Sequence, residues 1–295
     1  MSREKIIHRQ ALETYRAHTF RYLPARKLKS QKQAVDFVKE RGFIYFWPIK
    51  GVVLPSLWGA VAGDRPVPNN HDDPAHITWQ WKDALLGKKK WYYARILRHR
   101  NTIISKNLLK FFYALSPNYG NPEEDFFELY DQGKISLQER RIFETLLEEG
   151  PLDTLLLRKM SGLATASHLA GFNRALDCLQ RDFRILPTGI SRAGAWHYAF
   201  IYDLTHRVFQ NLTEETRAID HRMAMNEILI SYLHSIGLCS LRDIQGLFGW
   251  HESEIRKSLK ELIAVEEVFF PVYLENCKEE CYTIKQIYDD DLSCK

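Results

Sequence analysis

Apolar residues in the second half of the chain recur first at helical spacing and then at strand spacing, and they do so twice. Ser136 followed by Glu139 has the form of a capping box, and Ile142, Phe143, Leu146 and Leu147 then fall on one helical face. Gly150-Pro151 ends that helix, and Asp153 is placed to cap a second over 155–160. After a Ser/Thr/Ala break, a third helix over 168–183 carries Phe172, Ala175, Leu176 and Leu179 on one side. A β-like segment turns around Pro187-Thr188-Gly189 and returns over 196–202. Downstream, Ile228, Leu229, Tyr232 and Leu233 precede Gly237, and Ser240 with Asp243 caps a short helix through Leu247. A helix over 252–265 follows, with Ile255, Leu259, Leu262 and Ile263 apolar, then strands near 269–274 and 281–287. Gly150 and Gly237 are 87 residues apart, as are Leu157 and Ile244, so two kinds of landmark share one offset. Three helices and a two-stranded wing describe a winged helix, here duplicated.

The first 130 residues are less regular. Ser30 and Gln33 frame a helix with Val35 and Val38 that stops at Gly42, and 43–47 is a continuous apolar and aromatic run with the look of a buried strand. Pro48, Pro55, Pro66, Pro68 and Pro74 break up the next stretch into short helices and irregular chain. A strand over 91–97 and a helix face of Leu108, Phe112 and Leu115 close it, in an order that a diverged third winged helix over 30–115 would share. The expected architecture is mainly α with small β wings, an α+β chain of tandem winged helix-turn-helix domains. Its expected boundaries are a basic N-terminal domain over 1–130, a central winged helix over 131–212 and a C-terminal one over 213–295.

Charge changes this picture more than composition does. The formal net charge is only +4, but residues 1–110 hold 22 Lys and Arg against 8 Asp and Glu, a net of +14, leaving −10 on the remainder. Such segregation sets up a directional field suited to docking one face on a polyanion. Lys50, Lys82, the run Lys88-Lys89-Lys90, Arg95 and Arg98 are the candidate phosphate contacts, with double-stranded DNA the expected partner and a monomer the expected state. No apolar run approaches the ~20 residues that span a bilayer, and charges interrupt the N-terminus where a signal peptide needs an apolar stretch. Five cysteines without a framework spacing fit a reducing compartment, so a cytoplasmic, nucleoid-associated protein is expected. Cys277-x3-Cys281 lacks a second ligand pair, and neither metal nor cofactor is expected.

The densest polar cluster is His71-Asp72-Asp73-Pro74-Ala75-His76-Ile77-Thr78-Trp79. Asp72, Asp73 and His76 are the candidate catalytic groups there, as an acid/base set or, less simply, a divalent-metal site. Equally, the stretch reads as a proline-bounded loop in which Thr78 caps a helix starting at Trp79. Tyr45, Trp47 and Trp79, with Trp58 and Trp81, interleave with lysines, so aromatic faces are available to stack an extruded base or to fill a core. Lys50 or Lys82, desolvated beside these rings, has a further candidate role as a nucleophilic amine, against the commoner case of a lysine stem lying along a tryptophan.

Two stretches carry a family resemblance. Ile201-Tyr202-Asp203-Leu204-Thr205-His206-Arg207-Val208 resembles the Tyr-Asp-Leu-x-x-Arg end of the central winged helix in the AlkZ/YcaQ family of winged-helix DNA glycosylases. Leu147-Glu148-Glu149-Gly150-Pro151-Leu152 is similar to the helix end that precedes the family's second helix, and Ala75-His76 to its Ala-His pair. Gly42-Phe43-Ile44-Tyr45-Phe46-Trp47-Pro48-Ile49 falls where the family has a strand and a catalytic Gln-Φ-Gln or Gln-Φ-Asp triplet before Pro-Ile. The resemblance extends over roughly residues 10–290 and implies the family scaffold and a DNA-facing surface. At the triplet this chain has Tyr45-Phe46-Trp47, which cannot position and deprotonate water as a carboxylate or amide pair does. The family's C-terminal β-barrel has no counterpart in these residues. The resemblance thus implies recognition of alkylated or otherwise damaged duplexes without the family's usual base. Hydrolysis by Asp72, Asp73 or His76, and an operator-reading regulator, are the alternatives. The second suffers from Arg174 and Arg181 being offset by Asp177 and Asp182 on its reading helix. Arg207 is either a phosphate contact or, with Asp203 four residues earlier, an internal pair.

Overall fold

The computed structural model describes residues 5–69 and 72–290. Packing divides the chain into two units, one formed by the N-terminal segment up to Thr78 together with the chain from His221 onward, the other by Trp79 to Asp220. This grouping differs from three consecutive domains, and the physical reason lies in where apolar faces find partners. The helix Arg9–Thr19 packs on His221–Ile236, so the N-terminal segment covers the C-terminal repeat. Arg16 from that segment donates to the carbonyls of Ile236 and Leu238 at 2.8 and 2.9 Å. The strand Lys5–Ile7, unforeseen in sequence, adds in parallel to Val268–Leu274 and covers that strand's open edge. In the other unit, the helix Glu124–Asp131 stacks Phe126 on Phe143 at 3.9 Å, within the core of the first repeat, so a boundary near 130 would cut a single core.

The duplicated order is present in detail. The first copy runs through Leu137–Glu149, Thr154–Met160 and Leu169–Arg181 to an antiparallel hairpin, Ile185–Ser191 with Ala199–Leu204. The second runs through His221–Ile236, Leu241–Phe248 and Glu252–Ala264 to Val268–Leu274 with Glu280–Ile284. Between first and second helix each copy inserts a short strand, Leu152–Asp153 or Leu238–Ser240, that pairs with the return strand of its hairpin. The 87-residue offset is structural: Asp153 and Ser240 both cap second helices, and Leu157 and Ile244 are both fully buried beneath them. Gly150 and Gly237 end the first helices at φ of +83° and +80°, a left-handed turn that costs most side chains. A helix Gln31–Arg41 ending at Gly42, a strand Phe43–Tyr45, a helix Leu57–Ala62 capped by Ser56, a helix Ile77–Leu85 and the hairpin Trp91–Arg95 with Asn101–Ser105 follow the same sequence of elements.

One turn lies elsewhere than expected. Pro187 to Gly189 is a register shift inside the strand Ile185–Ser191, and the chain reverses in the loop from Arg192 to Tyr198. Cys277 and Cys281 are free thiols beside and within the C-terminal hairpin. No group of three or more His, Cys, Asp or Glu side chains able to hold a metal ion occurs among the described residues, and no described helix is long and apolar enough to cross a membrane.

Candidate nucleic-acid interface

The triplet positions lie inside the fold. Tyr45 and Phe46 are fully buried, so Tyr45 presents no ring to a base. Trp47 is half-buried, packing on Trp58 at 6.0 Å with the His76 ring edge-on at 5.8 Å. Trp58, Ala62 and Ala75 are the buried centre of this small cluster. Beside it, Arg65 lies over the Trp58 ring at 4.9 Å and bonds Asp73 at 2.7 Å. Asp73 also accepts from the Ala75 N–H at 2.8 Å, capping the turn Pro74–His76 that leads into the helix Ile77–Leu85. The cap is therefore Asp73, not Thr78, whose buried hydroxyl donates back to the Ala75 carbonyl at 3.0 Å. The Arg65 guanidinium, and then the Ala75 N–H, hold the Asp73 carboxyl below its usual range, the direction that weakens it as a proton acceptor. Asp72 is exposed, and His71 lies outside the described residues. Of the expected catalytic set, the structure brings Asp73 and His76 onto one turn with the carboxylate already engaged.

The basic candidates separate into an exposed set and one buried member. Lys50, Lys88, Lys89, Lys90, Arg95 and Arg98 are exposed. Lys88 to Lys90 precede the strand Trp91–Arg95, and Arg98, His99 and Arg100 form the turn beyond it, with Arg98 and His99 at positive φ. A strand of that length holds the two clusters roughly 15–20 Å apart, at opposite ends of one rigid ribbon. Between residues 79 and 110 the chain has nine Lys and Arg and a single carboxylate, Asp83.

Lys82 departs from expectation. Its side chain is only 1% exposed, and its ammonium lies within 4.7–5.5 Å of the Trp79, Tyr93, Tyr198 and Phe200 rings. It pairs with Asp83 at 2.6 Å and donates to the Tyr198 hydroxyl at 2.7 Å, and that hydroxyl donates to Asp83 at 2.9 Å. Burial pushes the Lys82 pKa down while Asp83 opposes the shift, and burial beside Asp83 pushes the Tyr198 hydroxyl up, keeping its proton available to the carboxylate. The closed triangle has no surface for a phosphate, because four rings and a carboxylate already solvate the ammonium. Trp79, 39% exposed, forms one wall of this box and meets Tyr198 at 6.0 Å.

What sequence reading missed lies on the strand Ala199–Leu204 and the loop before it. Tyr198, Phe200 and Tyr202 alternate along the chain and so share a face, with centroids 5.5 and 6.2 Å apart. Together with Trp196 they line an open groove of 580 Å³, whose opposite side is the helix Leu169–Arg181 with Asn173, Leu176 and Asp177. Trp196 is 91% exposed. Arg95 enters the groove and pairs with Asp177 at 2.7 Å. The period-two run Trp196, Tyr198, Phe200, Tyr202 was the available signal.

Arg207 is an internal clamp. It bonds Asp203 at 3.0 Å and donates to the carbonyls of Leu146 and Leu147 at 2.9 and 3.0 Å, so both ends of its fork are engaged on the last turn of Leu137–Glu149. The Leu146 carbonyl also accepts the Gly150 N–H at 3.1 Å, so the arginine adds a second donor there and supplies one to the Leu147 carbonyl. Three of the five guanidinium N–H groups are thereby engaged inside the fold, while the side chain keeps 33% exposure.

Comparison with known proteins agrees with this geometry at the level of fold and family. The structure is similar to the Streptomyces sahachiroi DNA glycosylase AlkZ, with a TM-score of 0.60 over 98% of this chain and 72% of that one, at 12% sequence identity. No curated protein matches the chain. The family model described as AlkZ related matches residues 28–247, which takes in the aromatic box, the hairpin and the Asp203–Arg207 clamp. The chain belongs to the AlkZ-related family.

Proposed function

We infer that this protein binds double-stranded DNA through phosphate contacts and recognises alkylated or otherwise damaged duplexes, without hydrolysing the glycosidic bond by its family's usual route. The reading treats both helical repeats, and the elements over 31–105, as winged helices, acting as a monomer at the nucleoid. The observation that carries it is the exposed cationic ribbon, Lys88, Lys89 and Lys90 at one end and Arg98 and Arg100 at the other. Membership of a family named for a DNA glycosylase supports DNA as the polyanion. The lack of catalysis rests on Tyr45 and Phe46 being buried and on Asp73 being engaged by Arg65. A second reading, hydrolysis through Asp72 or His76, draws on the His76 ring standing against half-buried Trp47.

Counterion release makes the binding reading quantitative. About five neutralised phosphates give a slope of log K against log salt of roughly −4 to −5, and Lys88, Lys89 and Lys90 replaced by Glu should flatten it by about 2–3 on every duplex. A slope near zero for the wild type, or no binding at about 50 mM salt, would remove DNA as the partner. In parallel, base release from duplexes carrying alkylated purines is expected to be absent. If it is present and Asp72→Ala or His76→Ala lowers it at least ~100-fold, the hydrolytic reading takes over.

A further inference from the structure

The exposed tryptophan at the hairpin tip and the aromatic face leading away from it have no role in phosphate binding. Trp196 at 91% exposure leaves a large apolar ring in water, whereas Tyr198 and Phe200 behind it are half-buried and Tyr202 is buried. A lone exposed aromatic needs no explanation, but this one forms the rim of a 580 Å³ groove, within the size range of small-ligand sites. The rung next to Trp196 is also held unusually firmly, since the Tyr198 hydroxyl is fixed by both Lys82 and Asp83. The triangle thus anchors the base of the loop from Arg192 to Tyr198, while the indole at its tip stands 91% exposed.

We propose that this groove receives an unpaired nucleobase of bound DNA, stacked against Trp196. The inference rests on the DNA-binding reading and adds the site where a base that has left its pair is held. Stacking on an indole needs only a π-face, and the helix side of the groove offers exposed Asn173, an amide able to meet a base edge with one donor and one acceptor. Arg192 on the loop is exposed, and Arg95 at the groove, though paired with Asp177, is itself exposed and adds a second cation beside it. Arg95 also belongs to the stretch with nine basic residues and one acidic one between 79 and 110, which favours a polyanion over an aromatic peptide as the occupant.

The test compares binding of an intact duplex with that of the same duplex carrying one extrahelical nucleotide. Wild type is expected to bind the bulged duplex at least ~10-fold more tightly, the scale of one base stacked on an aromatic ring. Trp196→Ala should abolish that preference and leave intact-duplex affinity and melting temperature unchanged, because the ring is almost wholly in solvent. Trp196→Phe should retain part of the preference, and its tryptophan fluorescence should lose the component that bulged DNA quenches in wild type. Equal binding of the two duplexes by wild type, or a preference that survives in Trp196→Ala, overturns the groove while duplex binding stands. Failure to bind either duplex overturns the DNA reading and the groove with it.

Discussion

At the residue scale, the environment of a cation decides its role more than its identity does. Lys82 and Lys88 look alike in sequence, each a lysine in a basic stretch beside aromatics, yet one is sealed among four rings and the other stands in water. Removing one member of a buried ion pair leaves the other charge uncompensated, so Lys82→Ala is expected to lower unfolding free energy by about 3–5 kcal/mol, with Asp83 and Tyr198 left facing a cavity. Lys82→Met keeps the volume and should cost less. Urea denaturation measures both, and salt dependence of DNA binding by the folded variants should match wild type. A variant of unchanged stability with a shallower salt slope would instead make Lys82 a phosphate contact. The Asp203–Arg207 pair was legible, since charges four apart meet on a turn of chain, but the carbonyls that Arg207 caps were not, because they come from a helix some 60 residues earlier.

At the element scale, the repeat makes a controlled comparison. Gly150 and Gly237 occupy equivalent helix ends with nearly equal positive φ, so each alanine variant meets backbone strain on the order of 1–3 kcal/mol. Their surroundings differ. A methyl at Gly150 meets nothing nearer than Arg207 at 3.9 Å, whereas at Gly237 it would lie 2.2 Å from Ile287 and 2.9 Å from Tyr15. Gly237→Ala is therefore expected to destabilise by at least ~1 kcal/mol more than Gly150→Ala, measured by thermal or urea unfolding. Equal losses would mean that the Ile287 and Tyr15 side chains yield freely. The glycines, the capping residues and the buried leucines of both copies were readable because each acts within a few residues of chain. The turn at Arg192 to Tyr198 was misplaced because Pro187-Thr188-Gly189 carries turn-forming residues, whereas pairing with Ala199–Leu204 absorbs them as a register shift.

At the scale of the whole molecule, two histidines, half-buried His206 and more exposed His234, tie stability to pH. Burial is the leading cause that pushes His206 and His234 below the usual histidine range, with Glu123 and Glu267 respectively opposing it. A base whose folded pKa is depressed binds its proton more readily when unfolded, so this contribution is complete above the unfolded value of about 6.5 and is lost as pH falls through it toward the folded value. The melting temperature should accordingly drop between about pH 7 and pH 5, and His206→Gln with His234→Gln should flatten that drop. The Asp73 carboxylate, held low by Arg65, contributes its own loss only below the unfolded carboxylate value of about 4, which separates the two effects in a pH titration of melting. A melting temperature independent of pH over 5–7 in wild type would contradict the lowered proton affinity of the two rings. By itself the sequence determined what depends on near neighbours and on composition: the duplicated helix and strand order, the helix ends, the charge segregation and the family resemblance. Tertiary structure alone decided which distant segments share a core, as when Lys5–Ile7 joins a strand near residue 270. It also decided which polar groups remain in water: Asp73 and Lys82 are engaged internally, while Lys88 and Trp196 are left exposed. The reason is that desolvation and ion pairing are set by everything within a few ångströms, and those neighbours come from parts of the chain that no local pattern links.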